Sequence, residues 1–302
     1  MKIVILGGSG FIGRKLVSQF RDQGRHDVTV FDRTSADEHT DVRHVSGNFI
    51  TGYDFAELVR GADLVIHLIS TSVPGNESGA LCEIQRNVIP SVQLFQACAK
   101  CGVDKVVFLS SGGTVYGDSG RRSNKETDLP EPMNTYGLQK LMIEQSLRLS
   151  ARSGGFHYQI IRLSNPYGPG QNPQGPLGLI TKLVYQAING ETIHIFGDGS
   201  VVRDFIYIDD AVACIMDVIG NGSCDETYNI GRGVGTSVSE VVETLEHALP
   251  ISINIMHEAG RSVDVPYSVL DIAKYQRFGA VHDFATLDDG IQKTYDFFQK
   301  ER

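Results

Sequence analysis

A chain of 302 residues is long enough for one large domain, or two closely coupled ones, around a substantial core. Its net charge of -9 and pI near 5.5 exclude the basic face that a general nucleic-acid binder needs. No apolar run approaches the ~18 residues of a membrane span, and Ile3 to Leu6 is too short for the apolar region of a signal peptide.

Five scattered cysteines (Cys82, Cys98, Cys101, Cys214 and Cys224) fit a reducing cytoplasm better than a disulfide framework. Cys98 and Cys101 form a C-x-x-C, but "VQLFQACAKCGV" reads as a helix running into a glycine stop. With no second Cys/His pair, no metal or redox role is expected there.

In chain order, "KIVILG", "DVTVFD", "DLVIHLI" and "KVVFLSS" are short apolar runs rich in β-branched residues, and each predicts a strand. Helix-length amphipathic segments separate them at 10–23, 54–60 and 81–100. This alternation implies right-handed βαβ units and a parallel sheet covered on both faces. A helix over 135–150 and the strand "YQIIRLS" follow. Beyond Pro166, "NPYGPGQNPQGPLG" reads as a long functional loop. A helix at 179–189, a strand at 192–196, a Gly-Asp-Gly turn and the strand "DFIYI" come next. From about Ser237 a helix, a strand and a terminal helix complete a smaller unit. The expected architecture is an α/β doubly wound parallel sheet of the dinucleotide-binding type, with a smaller C-terminal α/β lobe and a cleft between. Residues 1–165, with 201–236 returning to them, would form the larger part, and 166–200 with 237–302 the smaller.

Two constellations carry chemistry. In "KIVILGGSGFIGRKL" a buried strand ends at Gly7, and Gly10 and Gly13 follow as a helix begins. Small residues there let backbone approach a pyrophosphate, and the helix start supplies free N–H groups and partial positive charge. Asp32 ends the next strand, 19 residues past Gly13, and can accept both adenosine ribose hydroxyls while repelling a 2′-phosphate. That favours NAD, although Arg33 beside it keeps NADP open. In "NTYGLQKLMIEQ", Tyr136 and Lys140 stand four apart on one helix face. A free phenol ionises near pH 10. A nearby ammonium, with a nicotinamide cation above it, is expected to favour the phenolate and move it toward the working range of a base.

Together with "NV" at Asn87, "SSGGTVYG", "RLSNPYGPGQ", "FGDGSVVRDFIYIDD" and "GRSVDVPYSVLD", these stretches resemble the extended short-chain dehydrogenase/reductase family, in particular its nucleotide-sugar epimerases and dehydratases. The resemblance runs nearly end to end. It implies a Rossmann-type fold, bound NAD, a nucleotide-sugar substrate and a homodimer formed through helices 81–100 and 135–150. It implies Tyr136 as catalytic base and acid, with Lys140 holding the nicotinamide ribose. Cofactor contacts would come from Gly7, Gly10, Phe11, Ile12, Gly13, Asp32, Arg33, Asn48, Phe49, Leu68 and Asn87. Asn165, Arg203, Arg261 and Asp264 would grip the diphosphate and ribose, and Phe196 would flank the base. Two arginines suit a diphosphate on chemical grounds as well.

The chain departs from the pattern in three places. Asn48 stands where the family usually has the Asp that meets adenine; an amide can still bond that edge. Gly112 stands where many 4-epimerases and dehydratases have a catalytic Ser or Thr. The 4,6-dehydratases carry a hydroxyl, an Asp and a Glu at the positions of Gly112, Gly113 and Thr114, so dehydration is not expected here. The helper hydroxyl then falls to Thr114 or Ser111, with Ser110 packed into the strand end, and the twin glycines are expected to widen the pocket near the sugar's C4. Finally, Ser268 replaces a bulky Tyr of hexose-restricted 4-epimerases, and "STSVPG", which includes Ser72, resembles a loop of N-acetylhexosamine 4-epimerases. Both point to a UDP-N-acetylhexosamine alongside UDP-hexoses, and the activity expected is 4-epimerisation of a UDP-hexose or UDP-N-acetylhexosamine. The alternatives are an NAD(P)H-dependent 4-ketoreductase of a dTDP- or UDP-deoxy sugar, and a non-enzymatic dinucleotide sensor, which should have lost Tyr136 or Lys140.

Overall fold

The computed structural model describes residues 1–33, 42–75, 77–120, 122–251, 253–259, 265–279 and 283–301. The N-terminal half runs β1 (Lys2–Leu6), α1 (Phe11–Asp22), β2 (Asp27–Asp32), β3 (Arg43–Ser46), α2 (Phe55–Val59), β4 (Leu64–His67) and α3 (Ala80–Glu83). A π-helical turn (Ile84–Val88) leads into α4 (Ile89–Cys101), followed by β5 (Lys105–Ser111), α5 (Gly112–Val115), α6 (Thr135–Gly154) and β6 (His157–Leu163). Then come β7 (Asn165–Tyr167), α7 (Leu179–Asn189), β8 (Thr192–Phe196), β9 (Val202–Tyr207), α8 (Ile208–Asn221), β10 (Glu226–Ile230), β11 (Gly235–Ser237) and α9 (Val238–Ala248). The last elements are β12 (Asn254–Glu258), β13 (Tyr267–Ser268), α10 (Ala273–Gln276) and α11 (Leu287–Lys300).

Seven strands form one parallel sheet in the order β10-β6-β5-β4-β1-β2-β3. The period-two alternation of a strand explains its two cores. Ile3 and Ile5 of β1 face the side covered by Leu16 and Val17 of α1 and Ile215 of α8. Val4 and Leu6 face the side covered by Phe55 of α2, Leu94 and Phe95 of α4 and Ile143 of α6. The chain crosses from one side of the sheet to the other between β1 and β4, the switch point at which such sheets bind ligands beyond the carboxyl ends of their strands.

A smaller sheet, β11-β9-β13 with β7 paired to β9, lies beyond those ends, and β8 pairs with β12 separately. The helix expected over 81–100 is divided. Its π-helical turn ends where the Ser91 hydroxyl donates to Asn87 O at 2.6 Å; such turns break helix register and recur at functional sites. The sequence reading does not anticipate α8 or β10. Yet α8 buries Ile208, Ala211, Val212, Ile215, Val218 and Ile219, a regular amphipathic spacing. β10, "ETYNI", alternates too little to declare itself, and is a strand because β6 offers it an edge.

Candidate active site

At the end of β1 the chain turns at Gly7, whose φ of +88° is the left-handed region that glycine adopts freely. Gly7 N donates to Phe31 O at 2.9 Å, which ties the turn to β2. A Cβ on Gly13 would lie 2.2 Å from Gly7 O and 2.7 Å from Gly8 Cα, so only glycine lets α1 sit this close to the loop. The helix starts at Gly10 with no side-chain cap and no acidic residue in its first turn, leaving N–H groups and partial positive charge toward the cleft. Asp32 is held at the rim by Ser9 N (3.1 Å) on Oδ2 and by Arg33 N (2.8 Å) on Oδ1. A carboxylate has about four acceptor positions, so lone pairs remain for ribose hydroxyls. Phe11, Ile12 and Leu68 are half-buried around this loop, Phe49 is buried, and Arg33 and Asn48 are exposed. The cradle fits a dinucleotide.

Behind the ends of β4 and β5 lies the Tyr-x-x-x-Lys face of α6. Lys140 is buried and its Nζ donates to Leu109 O at 2.9 Å, 5.7 Å from the Tyr136 ring centre and 4.9 Å from that of Phe108. Burial brings Lys140 down to about 8, opposed by the charge of Glu144 one turn on. In the protein without cofactor, burial pushes the Tyr136 phenol above its ordinary value, the Ser70 side chain acts the other way, and the Glu83 charge adds to the rise.

Glu144 is itself buried, and it accepts from Ser110 Oγ (2.6 Å), Arg162 Nε (3.0 Å) and Arg162 Nη2 (2.7 Å). The Arg162 guanidinium lies 4.7 Å from the Tyr116 ring centre, and Tyr116 Oη donates to Asn229 Oδ1 at 2.7 Å. Ser110 therefore packs into the strand end as expected, as part of a polar chain that locks β5, β6 and α6 together.

The 111–114 stretch divides by residue. Ser111 is half-buried at the start of α5. Thr114 Oγ1 is buried and has no hydrogen-bond partner among the described residues. A Cβ on Gly112 would meet Leu270 Cδ1 at 2.6 Å, Leu270 Cδ2 at 2.9 Å and Arg162 O at 3.1 Å, whereas one on Gly113 would find only the Asn165 amide, at 3.7 Å. The twin glycines therefore do not both widen the pocket. Leu270 fills the space beside Gly112, and only Gly113 faces open room.

The smaller sheet brings further expected residues to this loop. Ser268 is buried, with its Oγ 3.5 Å from Gly113 O. Asn165 Nδ2 donates to Asp204 O at 2.9 Å. Arg203 lies beside them and donates to Val202 O (2.9 Å) and Val265 O (2.6 Å). Asp204 is fully buried and accepts from the backbone N–H groups of Arg232 (2.8 Å), Gly233 (3.1 Å) and Leu270 (3.3 Å). Burial raises its carboxyl to about 6 despite those bonds. Phe196 stands exposed at the end of β8. Arg261 and Asp264 lie outside the described residues.

Sequence reasoning missed Ser70, Glu83 and Gln139. The Ser72 hydroxyl donates to buried Glu83 and accepts from Gln139 Nε2 at 2.9 Å. Asn87 accepts from Thr71 N (2.8 Å) and donates to Glu83 (3.0 Å), so it pins the loop after β4. One signal was available: Gln139 stands three residues after Tyr136, on the same helix face. In the C-x-x-C, Cys98 is buried with its thiol pushed up by burial, and Cys101 Sγ donates to Ala56 O at 3.5 Å. No group of three metal-ligating side chains occurs among the described residues.

A parallel sheet with a glycine cradle at the end of one strand and a buried Tyr–Lys pair beside the end of another, two strands away, has the plan of the short-chain dehydrogenase/reductase enzymes. The chain belongs to the NAD-dependent epimerase/dehydratase family, whose pattern matches residues 3–231, and its cofactor is NAD. It is 28% identical to a putative UDP-glucose 4-epimerase of Methanocaldococcus jannaschii, over 98% of each chain. It is also 29% identical to a dTDP-4-dehydro-6-deoxyglucose reductase of Escherichia coli, over 96% of this chain and 95% of the other. Among solved structures, the UDP-glucose 4-epimerase of Thermotoga maritima with UDP-glucose superposes with a TM-score of 0.92 at 29% identity, covering 100% of this chain and 99% of that one.

Proposed function

We propose that the protein interconverts the 4-epimers of a UDP-hexose or UDP-N-acetylhexosamine through a transient 4-keto sugar. The observation that carries this reading is the buried Tyr136–Lys140 pair beside a cradle that fits NAD, with no carboxylate at 112–114 to expel water. Gly7, Gly10 and Gly13 would admit the pyrophosphate of NAD, Asp32 the adenosine ribose and Lys140 the nicotinamide ribose. When bound, NAD supplies the acceptor for the C4 hydride and, once reduced, its donor. Tyr136 takes the proton of the sugar 4-hydroxyl and later returns it to the 4-oxygen on the other face. Thr114 assists from the sugar side. Its buried, unpartnered hydroxyl supports it over Ser111, because such groups are rare unless a ligand supplies the partner.

Arg203, Asn165, Ser268 and Phe196 would hold the nucleotide sugar, joined by Arg261 and Asp264 on the strength of the sequence. Residues 1–165 with 201–236 would then serve the cofactor, and 166–200 with 237–302 the sugar nucleotide. Exposed Leu81, Ile89, Leu138 and Leu149 on α3, α4 and α6 support pairing with a second copy. No described helix is long and apolar enough to cross a membrane, and the five free cysteines support a reducing cytoplasm.

The test is to denature the purified protein and assay released NAD(H), then offer UDP-GlcNAc or UDP-Gal to the native protein without added cofactor. Interconversion is expected. The similarity to the E. coli reductase favours a second reading, reduction of a 4-keto deoxy sugar nucleotide. Oxidation of NADPH by such a sugar, with no cofactor-independent turnover, would establish it instead.

A further inference from the structure

Three backbone N–H groups from two distant segments converge on one buried carboxylate, next in the chain to Arg203. Asp204 of β9 is fully buried. Its Oδ1 accepts from Arg232 N at 2.8 Å, and its Oδ2 from Gly233 N at 3.1 Å and Leu270 N at 3.3 Å. We infer that Asp204 is a positioning residue that fixes the 268–270 segment against Arg203 and thereby sets the affinity for the sugar nucleotide. This rests on the reading of Arg203 and Ser268 as residues that hold that ligand.

Strand register shows what the carboxylate adds. β13 pairs with β9 only as far as Ser268, opposite Arg203. Beyond that pair the ladder ends, and Asp204 Oδ2 takes up the N–H of Leu270, two residues on. On the other flank β11 pairs with β9 from Gly235, opposite Asp204, and the carboxylate gathers the 232–233 turn that leads into it. Asp204 O also accepts from Asn165 Nδ2 at 2.9 Å, which ties in β7. A Cβ on Gly231 would lie 2.4 Å from Asp204 Oδ2, so glycine lets this turn close over the carboxylate.

The segment held in this way reaches the loop after β5. Leu270 packs beside Gly112, and Ser268 Oγ lies 3.5 Å from Gly113 O. Arg203 donates to Val265 O at 2.6 Å. Two consecutive residues of β9 therefore hold the two ends of the 265–270 segment. A carboxylate only accepts hydrogen bonds, at about four positions, and its charge makes each bond stronger than one to a neutral oxygen. An amide in its place offers one oxygen, and its NH2 group would face an N–H that needs an acceptor.

The experiment measures binding of UDP-GlcNAc and of dTDP-glucose to the NAD-loaded protein by calorimetry, in a Tyr136→Phe background that blocks turnover. Asp204→Asn should weaken both by ~10-fold, with bound NAD unchanged. With Tyr136 in place, KM should rise by a like factor while kcat stays within ~3-fold. Gly231→Ala, which crowds the carboxylate and keeps its charge, should act the same way by less, and it stands in if Asp204→Asn fails to fold. Unchanged affinity in the variant that folds, or a kcat loss as large as the affinity loss, overturns the inference. Binding that answers to Asp204 in a protein that epimerises no UDP-sugar would keep the inference and drop the proposed epimerisation. If the protein with Asp204 intact binds neither sugar nucleotide, both are overturned.

Discussion

The loops at 7–13 and 111–117 both place glycines at the carboxyl end of a strand in the same sheet, for opposite physical reasons. At Gly13 the missing side chain lets backbone meet backbone, with a Cβ position 2.2 Å from Gly7 O. At Gly112 the missing side chain is replaced by one from far along the sequence, Leu270, whose Cδ1 lies 2.6 Å from the Cβ position. One glycine lets neighbouring backbone close tightly at the start of α1, and the other admits a side chain from far along the chain. A glycine in a functional loop is therefore not evidence of empty space until its neighbours are known.

The sharpest way to break this contrast is Gly13→Val. Backbone cannot yield as a side-chain tip can, so this variant should lose bound NAD and all cofactor-dependent turnover, together with ~3 kcal/mol of stability. Cofactor released on denaturation and a urea melt would show both. Next in size, Thr114→Val should lower kcat by ~10²-fold, while Ser111→Ala changes it far less. The reverse order would move the helper role to Ser111.

Gly112→Ser alone should destabilise by ~2 kcal/mol through overpacking against Leu270. Joined with Leu270→Ala, it should cost less than the sum of the two single changes, with a coupling of ~1 kcal/mol in a double-mutant cycle by denaturant unfolding. Strict additivity would mean that the two side chains do not compete for one space.

A pH-dependent effect concerns β4, which lies between the strands that carry the two loops and ends at His67, in register with Leu6 and Phe108. His67 is fully buried, with Nε2 2.9 Å from Ser91 Oγ. Burial, helped by the Lys140 charge, brings it down to about 3 from 6.5. The unfolded chain binds this proton below pH 6.5 and the folded protein does not. Stability should therefore fall as pH drops from 6.5 toward 3, by up to ~1.4 kcal/mol per pH unit, with no contribution above that window. In His67→Gln the stability–pH curve should flatten over pH 5 to 6.5; an unchanged slope would assign the acid sensitivity elsewhere.

The parallel sheet, the cradle and the Tyr136–Lys140 face were legible because each is local. A β-branched run, glycines three apart and a four-residue helical spacing all fall within a few turns of chain. What escaped was set by distant chain meeting at one point: Leu270 against Gly112, Gln139 against Ser70 and Ser72, Glu83 beneath Ser72. The burial that raises the Tyr136 phenol in the absence of cofactor was not legible either, because charge is visible in a sequence but burial is a property of the packed sheet. Ser110 was placed correctly as a packed residue, although its partner Glu144 was not foreseen.

The filling of Gly112 by Leu270 also has an evolutionary consequence. Positions 112 and 270 share one volume but lie far apart in the chain, one opening α5 just past β5 and the other two residues past β13, next to the segment proposed to select the sugar. A lineage that regains a side chain at 112 must first shrink the one at 270, and a chain that enlarges 270 forecloses that return. The two sites should drift as a pair, large against absent or small against small, and a change of sugar preference along this route would leave its trace at both.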